Sequence, residues 1–318
     1  MRISVVVPVY NRGELVRACL QSVTAAIAEL GLAAEVTVVD DGSSDGSLEI
    51  VQTEFPAVQL LCNDHNLGFA VSANRGLRAA RGDYLFLLNS DTEVSAGDLE
   101  QLLDFLELNS AYAGAAPRMV DGEGVTRQSC MAFPTLKTAL FFATPLAAWC
   151  PHSAELKRYF QRDADPSLDA DVLQPPAAAW LIRRSAWEEV GDFDETLELF
   201  FNDVDWCRRL QASGGKLRYL AGTAVLHHEG ASTAERPDFV TRWQTDRWRY
   251  YRKHFGPLGA LWVKLCVSWT FSDWCLRNTC RRMLGRAAEP LGPTARAFVS
   301  FLRSGRPPGL SSSPSAQS

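Results

Sequence analysis

The chain has 318 residues, 47% of them apolar, and a formal net charge of −5. That size suits one large globular domain or two smaller ones around a sizeable core. The acidic balance gives no general case for nucleic-acid binding, and no apolar run reaches the roughly 20 residues of a membrane-spanning helix. The eight cysteines are scattered without a C-x-x-C pair, which fits reduced thiols in a cytoplasmic protein. The N-terminus enters a strand almost at once and lacks the basic and apolar regions of a signal peptide.

Residues 3–7 are a β-branched strand, ended by Pro8, and residues 8–13 form a loop. Leu15, Cys19, Val23 and Ile27 then recur every four residues on one face of a helix. A second strand over 35–39 runs into Asp40-Asp41-Gly42-Ser43-Ser44-Asp45-Gly46-Ser47, where Ser44 or Asp45 can cap a helix carrying Leu48, Val51 and Phe55. A strand over 58–62, a loop over 63–68 and a helix over 69–80 follow. Residues 84–88, Tyr-Leu-Phe-Leu-Leu, have no polar break, as expected of a strand buried on both faces. This alternation predicts βαβ units and a mostly parallel sheet.

The strands ending near Pro8, Asp40 and Asn89 gather polar loops on one sheet edge, where open α/β sheets bind ligands. No G-x-G-x-x-G follows the first strand and no G-x-x-x-x-G-K-[ST] occurs, so neither a dinucleotide fingerprint nor a P-loop is present. A nucleotide here is held by acids and loop backbone. Asp91, in Asn89-Ser90-Asp91-Thr92-Glu93, is a candidate oxygen ligand for a divalent cation that bridges to phosphates. The plainer readings are a polar loop after a core strand, and a turn at Asp40-Asp41-Gly42.

In the second half, Trp180-Leu181-Ile182 reads as a strand. Trp180 is either core packing or an apolar platform for a ligand. Asn202 and Asp203 open an amphipathic helix with Val204, Cys207 and Leu210. They are helix caps, or Asp203 is a carboxylate held ionised at a helix N-terminus. Asp205 points elsewhere and reads as structural. His227 ends an apolar strand over 223–226. Residues 137–150 are unusually apolar and read as a buried helix, a mobile lid or a lipid contact. Residues 242–276 form aromatic-rich amphipathic helices that either lie on a membrane surface or pack on the rest of the chain. Between Arg277 and Arg306 stand seven arginines and one acid, Glu289, a charge that anionic headgroups or water alone would satisfy. The stretch from 304 is rich in Pro, Ser and Gly and is expected to be disordered.

Taken together, Val7-Pro8-Val9-Tyr10-Asn11, Asp40-Asp41-Gly42-Ser43-Ser44-Asp45, Asn66-Leu67-Gly68-Phe69-Ala70, Asn74-Arg75-Gly76, Gly82-Asp83-Tyr84 and Leu88-Asn89-Ser90-Asp91 resemble the family 2 glycosyltransferases. Trp180-Leu181-Ile182-Arg183-Arg184, Gly191-Asp192-Phe193-Asp194-Glu195, Phe200-Phe201-Asn202-Asp203 and His227-His228-Glu229-Gly230 are similar to its rhamnosyltransferase-like branch. The match covers about residues 1–255, with the motifs in order.

The resemblance implies a GT-A type, Rossmann-like α/β fold with a mostly parallel sheet flanked by helices. It implies inverting transfer from a nucleotide-diphosphate sugar, with rhamnose from dTDP-rhamnose leading, to a glycan or lipid-linked acceptor. Donor binding falls to Pro8, Tyr10, Asn11, Asp40, Asp41, Asn74, Asn89 and Ser90. Asp91, with His227 or less readily His228, holds Mg²⁺ or Mn²⁺. Asp203 is the general base, with Asn202 and Trp180 on the acceptor side. Asn89 and Asn202 stand where acids are common in the family. A UDP-hexose or galactofuranose transferase and a non-catalytic nucleotide-sugar-binding scaffold remain alternatives. The expected organisation is a catalytic domain over 1–241, with a nucleotide half over 1–117 and an acceptor half over 118–241. A helical, membrane-associated extension over 242–303 and a tail over 304–318 follow. The place expected is the cytoplasm, peripheral on the inner membrane face.

Overall fold

The computed structural model describes residues 2–127, 129–228, 239–288 and 290–304. In chain order the first elements are β1 (Arg2–Val9), α1 (Gly13–Glu29), β2 (Ala33–Asp40), α2 (Ser47–Glu54), β3 (Gln59–Cys62), α3 (Phe69–Ala79) and β4 (Tyr84–Leu88). Next come β5 (Thr92–Glu93), α4 (Ala96–Leu108), β6 (Gly114–Val120), α5 (Leu136–Phe141), α6 (Pro145–Trp149) and α7 (Ala154–Tyr159). The chain continues through β7 (Ala170–Val172), β8 (Ala179–Arg183), α8 (Arg184–Val190), α9 (Asn202–Ala212), β9 (Leu217–His227), α10 (Phe239–Met283) and α11 (Leu291–Ser304).

The chain forms two compact units. One comprises residues 1–133 and 158–235, the other 134–157 and 236–318. The first holds the sheet, in the order β3-β2-β1-β4-β8-β6-β9-β5, with β7 also on β9. Strands β3, β2, β1 and β4 are parallel. The rest is mixed, because β8 enters antiparallel between β4 and β6. The alternating strand–helix pattern ends at β4, and among the described strands beyond it β6 and β9 alone pair parallel.

Both faces of the sheet are covered, which explains the unbroken apolar run of β4. Phe86 and Leu88 face a cluster with Val16, Leu20 and Val23 of α1 and Leu99 and Leu102 of α4. Leu85 and Leu87 face the opposite one, with Ala73 and Leu77 of α3 and Trp206 and Leu210 of α9. Pro8 does not end the first strand; β1 runs on to Val9. The Val9 carbonyl accepts from Asp41 N–H on the β2 side, so the polar groups of Pro8 face the other way. On that side pairing with β4 has already stopped at Val6–Leu87, and the missing N–H costs no ladder bond.

Strand β9 carries an irregularity that aims its end. Pro117 of β6 pairs with Leu220, but Met119 pairs with Val225, so β9 bulges over residues 221–224. Side chains from two other elements hold the bulge. Thr223 Oγ1 accepts from Arg118 N–H, and Arg118 Nε donates to the carbonyls of Ala221 and Thr223. Ala224 N–H donates to Asp98 Oδ1 at the start of α4. Beyond the bulge β9 turns to pair with β5, setting Thr92 opposite His227.

The second unit is helical. Helix α10 breaks at Gly256, whose φ of 66° and ψ of −165° are non-helical, and Pro257 restarts it. The apolar segment over 137–150 is neither one core helix nor part of the sheet unit. It forms α5 and α6, which are tied to α10. Trp262 Nε1 donates to the Leu136 carbonyl, the Tyr251 hydroxyl to Thr135, Thr270 to Ala143, and the buried Arg247 to Ala139. Among the described residues no helix is long and apolar enough to cross a membrane. The tail expected from 304 lies outside the described residues, apart from Ser304 itself, which ends α11.

Candidate active site

Three loops meet at the carboxyl ends of β1, β2 and β4. The first two interlock. Asn11 and Arg12 both adopt left-handed backbone, with φ of 60° and 69°. Asn11 N–H donates to Ser43 Oγ at 2.8 Å, and Asn11 Oδ1 accepts from Ser44 N–H at 2.9 Å. Asp45 bonds two helix starts at once. Its Oδ2 accepts from Arg12 and Gly13 N–H at the head of α1, and its Oδ1 from Ser47 N–H and Oγ at the head of α2. Burial alone would raise the Asp45 pKa, but the bonds from Ser47, Gly13 and Arg12 hold it below the ordinary carboxylate value. The N-cap of α2 is Gly46 rather than the Ser44 or Asp45 expected from sequence, and Asp45 bonds the helix head from the position before it. The link to α1 exists only in the fold.

Asp40 and Asp41 are both buried. Asp41 ties down the next loop, accepting from Asn63 Nδ2 and Leu67 N–H through Oδ1 and from Gly68 N–H through Oδ2, at 2.8–2.9 Å. Gly68 has a φ of 96°, and a Cβ there would meet the Glu198 carbonyl oxygen at 2.8 Å, so only glycine fits. Asp40 Oδ2 accepts from Gly42 and Ser43 N–H, while its Oδ1 is buried without a hydrogen-bond partner among the described residues. A buried orphan acceptor is costly unless a ligand donates to it.

The third loop is a tight turn. The Asn89 carbonyl accepts from Thr92 N–H and Oγ1 and from the Cys19 thiol; burial pushes that thiol up to about 12. The turn lifts Asp91 out of β4 toward the end of β9. His227 Nε2 lies 3.4 Å from Asp91 Oδ1, and His228 N–H donates to the Asp91 carbonyl. The His228 ring instead faces Glu93, with Nε2 3.0 Å from Oε1. Of the two histidines, His227 is the one whose ring lies beside Asp91.

Among the described residues no group of three or more His, Cys, Asp or Glu side chains gathers as a metal cage. Asp91 and His227 supply one carboxylate and one imidazole. Such a partial set suits a cation that completes its shell with substrate phosphates and water.

Asp203 opens α9 after Phe201, whose φ of 63° turns the chain into the helix. Its Oδ1 accepts from Val204 N–H, and its own N–H donates to Asn202 Oδ1. Burial raises the Asp203 pKa, only partly offset by backbone donors at Val204 and Ala177. Asn89 N–H donates to the Ala178 carbonyl. Residues 177–178 therefore join the Asn89 turn to Asp203, through the Ala178 carbonyl on one side and the Ala177 N–H on the other, a link no local signal announces. Asp205 is engaged elsewhere, 2.9 Å from Arg209 Nε.

Two expected site residues are not brought to this cluster. The Asn74 amide is fully engaged inside the protein: Nδ2 donates to the Phe193 carbonyl and Glu195 Oε1, and Oδ1 accepts from Phe193 N–H. Trp180 is 1% exposed, packed among Phe193 and Trp206. It is core rather than a sugar platform, because β8 is an interior strand whose inward face meets α9. The Glu229-Gly230 part of the histidine motif lies outside the described residues.

With this geometry in place, comparison with known proteins is decisive for the family. The model of glycosyl transferase family 2 matches residues 4–191. The chain belongs to that family. It is a glycosyltransferase, whose reaction class is sugar transfer from a nucleotide-sugar donor. An N-acetylglucosaminyl-diphospho-decaprenol L-rhamnosyltransferase of Mycobacterium tuberculosis is 30% identical over 227 residues, which span 66% of this chain and 73% of the relative. A pre-mycofactocin glycosyltransferase of the same organism is 31% identical over 232 residues, 71% of this chain and 42% of that one. The crystal structure of GalNAc-T7 with UDP, GalNAc and Mn²⁺ superposes with a TM-score of 0.53 at 16% identity, covering 81% of this chain and 51% of that one. At that identity the likeness concerns the fold alone. It is the GT-A architecture, and glycosyltransferases of this architecture commonly use divalent metals.

Proposed function

We propose that this glycosyltransferase transfers a sugar with inversion, from a UDP- or dTDP-linked donor, to a glycan or lipid-linked acceptor. Rhamnose from dTDP-rhamnose is the leading donor, supported by the name of the mycobacterial rhamnosyltransferase relative. The observation that carries the reading is the pairing of Asp91 with His227 at the strand ends, joined through residues 177–178 to Asp203.

Asp203 accepts the proton of an acceptor hydroxyl as that oxygen bonds to the anomeric carbon. The bond from that carbon to the diphosphate breaks, and its electron pair leaves with the nucleoside diphosphate. A carboxylate whose pKa is raised by burial is a stronger base than an exposed one, which favours proton transfer near neutrality. Asp91 and His227 hold Mg²⁺ or Mn²⁺, which supplies Lewis-acid relief of the leaving group's charge. The orphan Oδ1 of Asp40 accepts from a base N–H or a ribose hydroxyl. Pro8, Tyr10, Asn11, Asn89 and Ser90, at the ends of β1 and β4, are the other donor-side residues of this reading.

The test is thermal unfolding of the full chain with UDP-, dTDP- and GDP-sugars, each with and without Mn²⁺. Specific binding raises the transition by mass action. A metal-dependent rise with one nucleotide class, lost in Asp91→Ala, supports the reading and names the base. Binding without turnover on any acceptor favours the scaffold alternative, to which Asn89 and Asn202 point. No rise with any donor removes it.

A further inference from the structure

After Gly256 the second arm of α10, residues 257–283, is apolar on two opposite faces. Ala260, Val263 and Cys266 turn inward, at 7%, 0% and 3% exposure. Leu258, Leu261, Leu265, Leu276 and Met283 turn outward, at 79%, 53%, 53%, 65% and 82% exposure. Spacings of 3, 4, 11 and 7 keep these five on one stripe of a 3.6-residue helix. At 1.5 Å per residue the stripe is about 38 Å long. Beside it Trp149 of α6 is 60% exposed, its ring edge-on to Trp269 at 5.9 Å. An exposed stripe of this length on a helix whose other face is already buried marks a surface that is covered in use.

Charge decides what covers it. From Leu258 to Ala288 the sequence has five basic residues, Lys264, Arg277, Arg281, Arg282 and Arg286, and one acid, Asp273. Asp273 is paired with Arg277 at 2.7 Å. Two copies meeting through this face would bring like charges together. A surface of anionic headgroups over an apolar interior complements both the stripe and its arginines.

We propose that the outward face of residues 257–283 is a docking surface for an anionic lipid bilayer, lying in the interface rather than crossing it. The leucines and Met283 enter the acyl boundary, Trp149 sits at headgroup depth, and Arg282 at the border of the stripe and Arg286 just beyond the helix engage lipid phosphates. This inference stands on the second unit alone and is independent of donor and base assignments.

The experiment is co-sedimentation of the full chain with vesicles of phosphatidylcholine alone and of phosphatidylcholine with phosphatidylglycerol. The double variant Leu261→Asp/Leu265→Asp and the pair Arg282→Glu/Arg286→Glu are run alongside, with circular dichroism and thermal unfolding as checks of folding. The wild type is expected to sediment with the anionic vesicles and to be released by salt. The leucine variant should partition at least tenfold less, and the arginine variant should lose its preference for anionic vesicles. A wild type that stays in the supernatant overturns the proposal. So does equal sedimentation of the folded leucine variant. Size-exclusion chromatography with light scattering supplies a third check, since a dimer that separates in Leu261→Asp/Leu265→Asp would make the stripe a self-interface instead.

Discussion

His227 Nε2 lies 3.4 Å from Asp91 Oδ1 because two strands from distant parts of the chain pair antiparallel, with Thr92 opposite His227. Register alone brings a carboxylate and an imidazole together. The bulge at residues 221–224, bonded by Arg118 and Asp98, is what turns β9 toward that register. The neighbouring His228 is drawn to Glu93 instead.

The first prediction separates the two histidines. Asp91→Ala and His227→Ala should each abolish the Mn²⁺-dependent part of donor-induced thermal protection. His228→Ala should leave it within about twofold in apparent donor affinity, about 0.4 kcal/mol. Equal losses in the two histidine variants would remove the assignment of His227.

Asp203→Asn should lower turnover about 10²- to 10⁴-fold, the usual contribution of a positioned base, while donor-induced protection persists. Product at wild-type rates would exclude Asp203 as the base.

The same variant has a stability signature. Burial raises the folded-state pKa of Asp203 above its unfolded value, so the folded protein holds the proton more tightly. Its contribution is most favourable below the unfolded pKa and diminishes as pH rises through the folded pKa. Asp203→Asn should therefore be at least as stable as wild type at pH 7. The difference between them should shrink as pH falls toward the ordinary carboxylate range, read as Tm against pH in buffers of matched ionic strength.

Asn74→Ala should cost about 1–3 kcal/mol, because the buried N–H and C=O of Phe193 lose their partners. Chemical denaturation reads this directly. The surviving folded protein should bind donor as before; a selective loss of donor binding at unchanged stability would return Asn74 to the donor site.

Asp45→Ala removes the acceptor shared by the heads of α1 and α2 and should cost about 1–2 kcal/mol, the scale of a lost helix cap. Asp45→Asn should recover part of it, since an amide oxygen still accepts. A neutral Asp45→Ala would mean that the Asn11–Ser43 and Asn11–Ser44 bonds hold the two loops unaided.

The sequence by itself determined the elements of the first half, because periodicity and turn residues are local. The spans expected over 69–80 and 84–88 are α3 and β4, and the order of polar motifs at strand ends named the family before any coordinate did. Local pattern misjudged Pro8, since whether a strand can include proline depends on which side its neighbour pairs. It left Trp180 open and assigned Asn74 to the donor site because burial and hydrogen-bond partners are supplied by α9 and by the turn at 191–195, more than a hundred residues from Asn74. The antiparallel entry of β8, the placement of the His227 rather than the His228 ring beside Asp91, the two-helix role of Asp45 and the return of residues 134–157 to the C-terminal helices were decided by tertiary structure alone. Each depends on a contact between residues far apart in the chain, and such contacts leave no periodic trace in the residues around them.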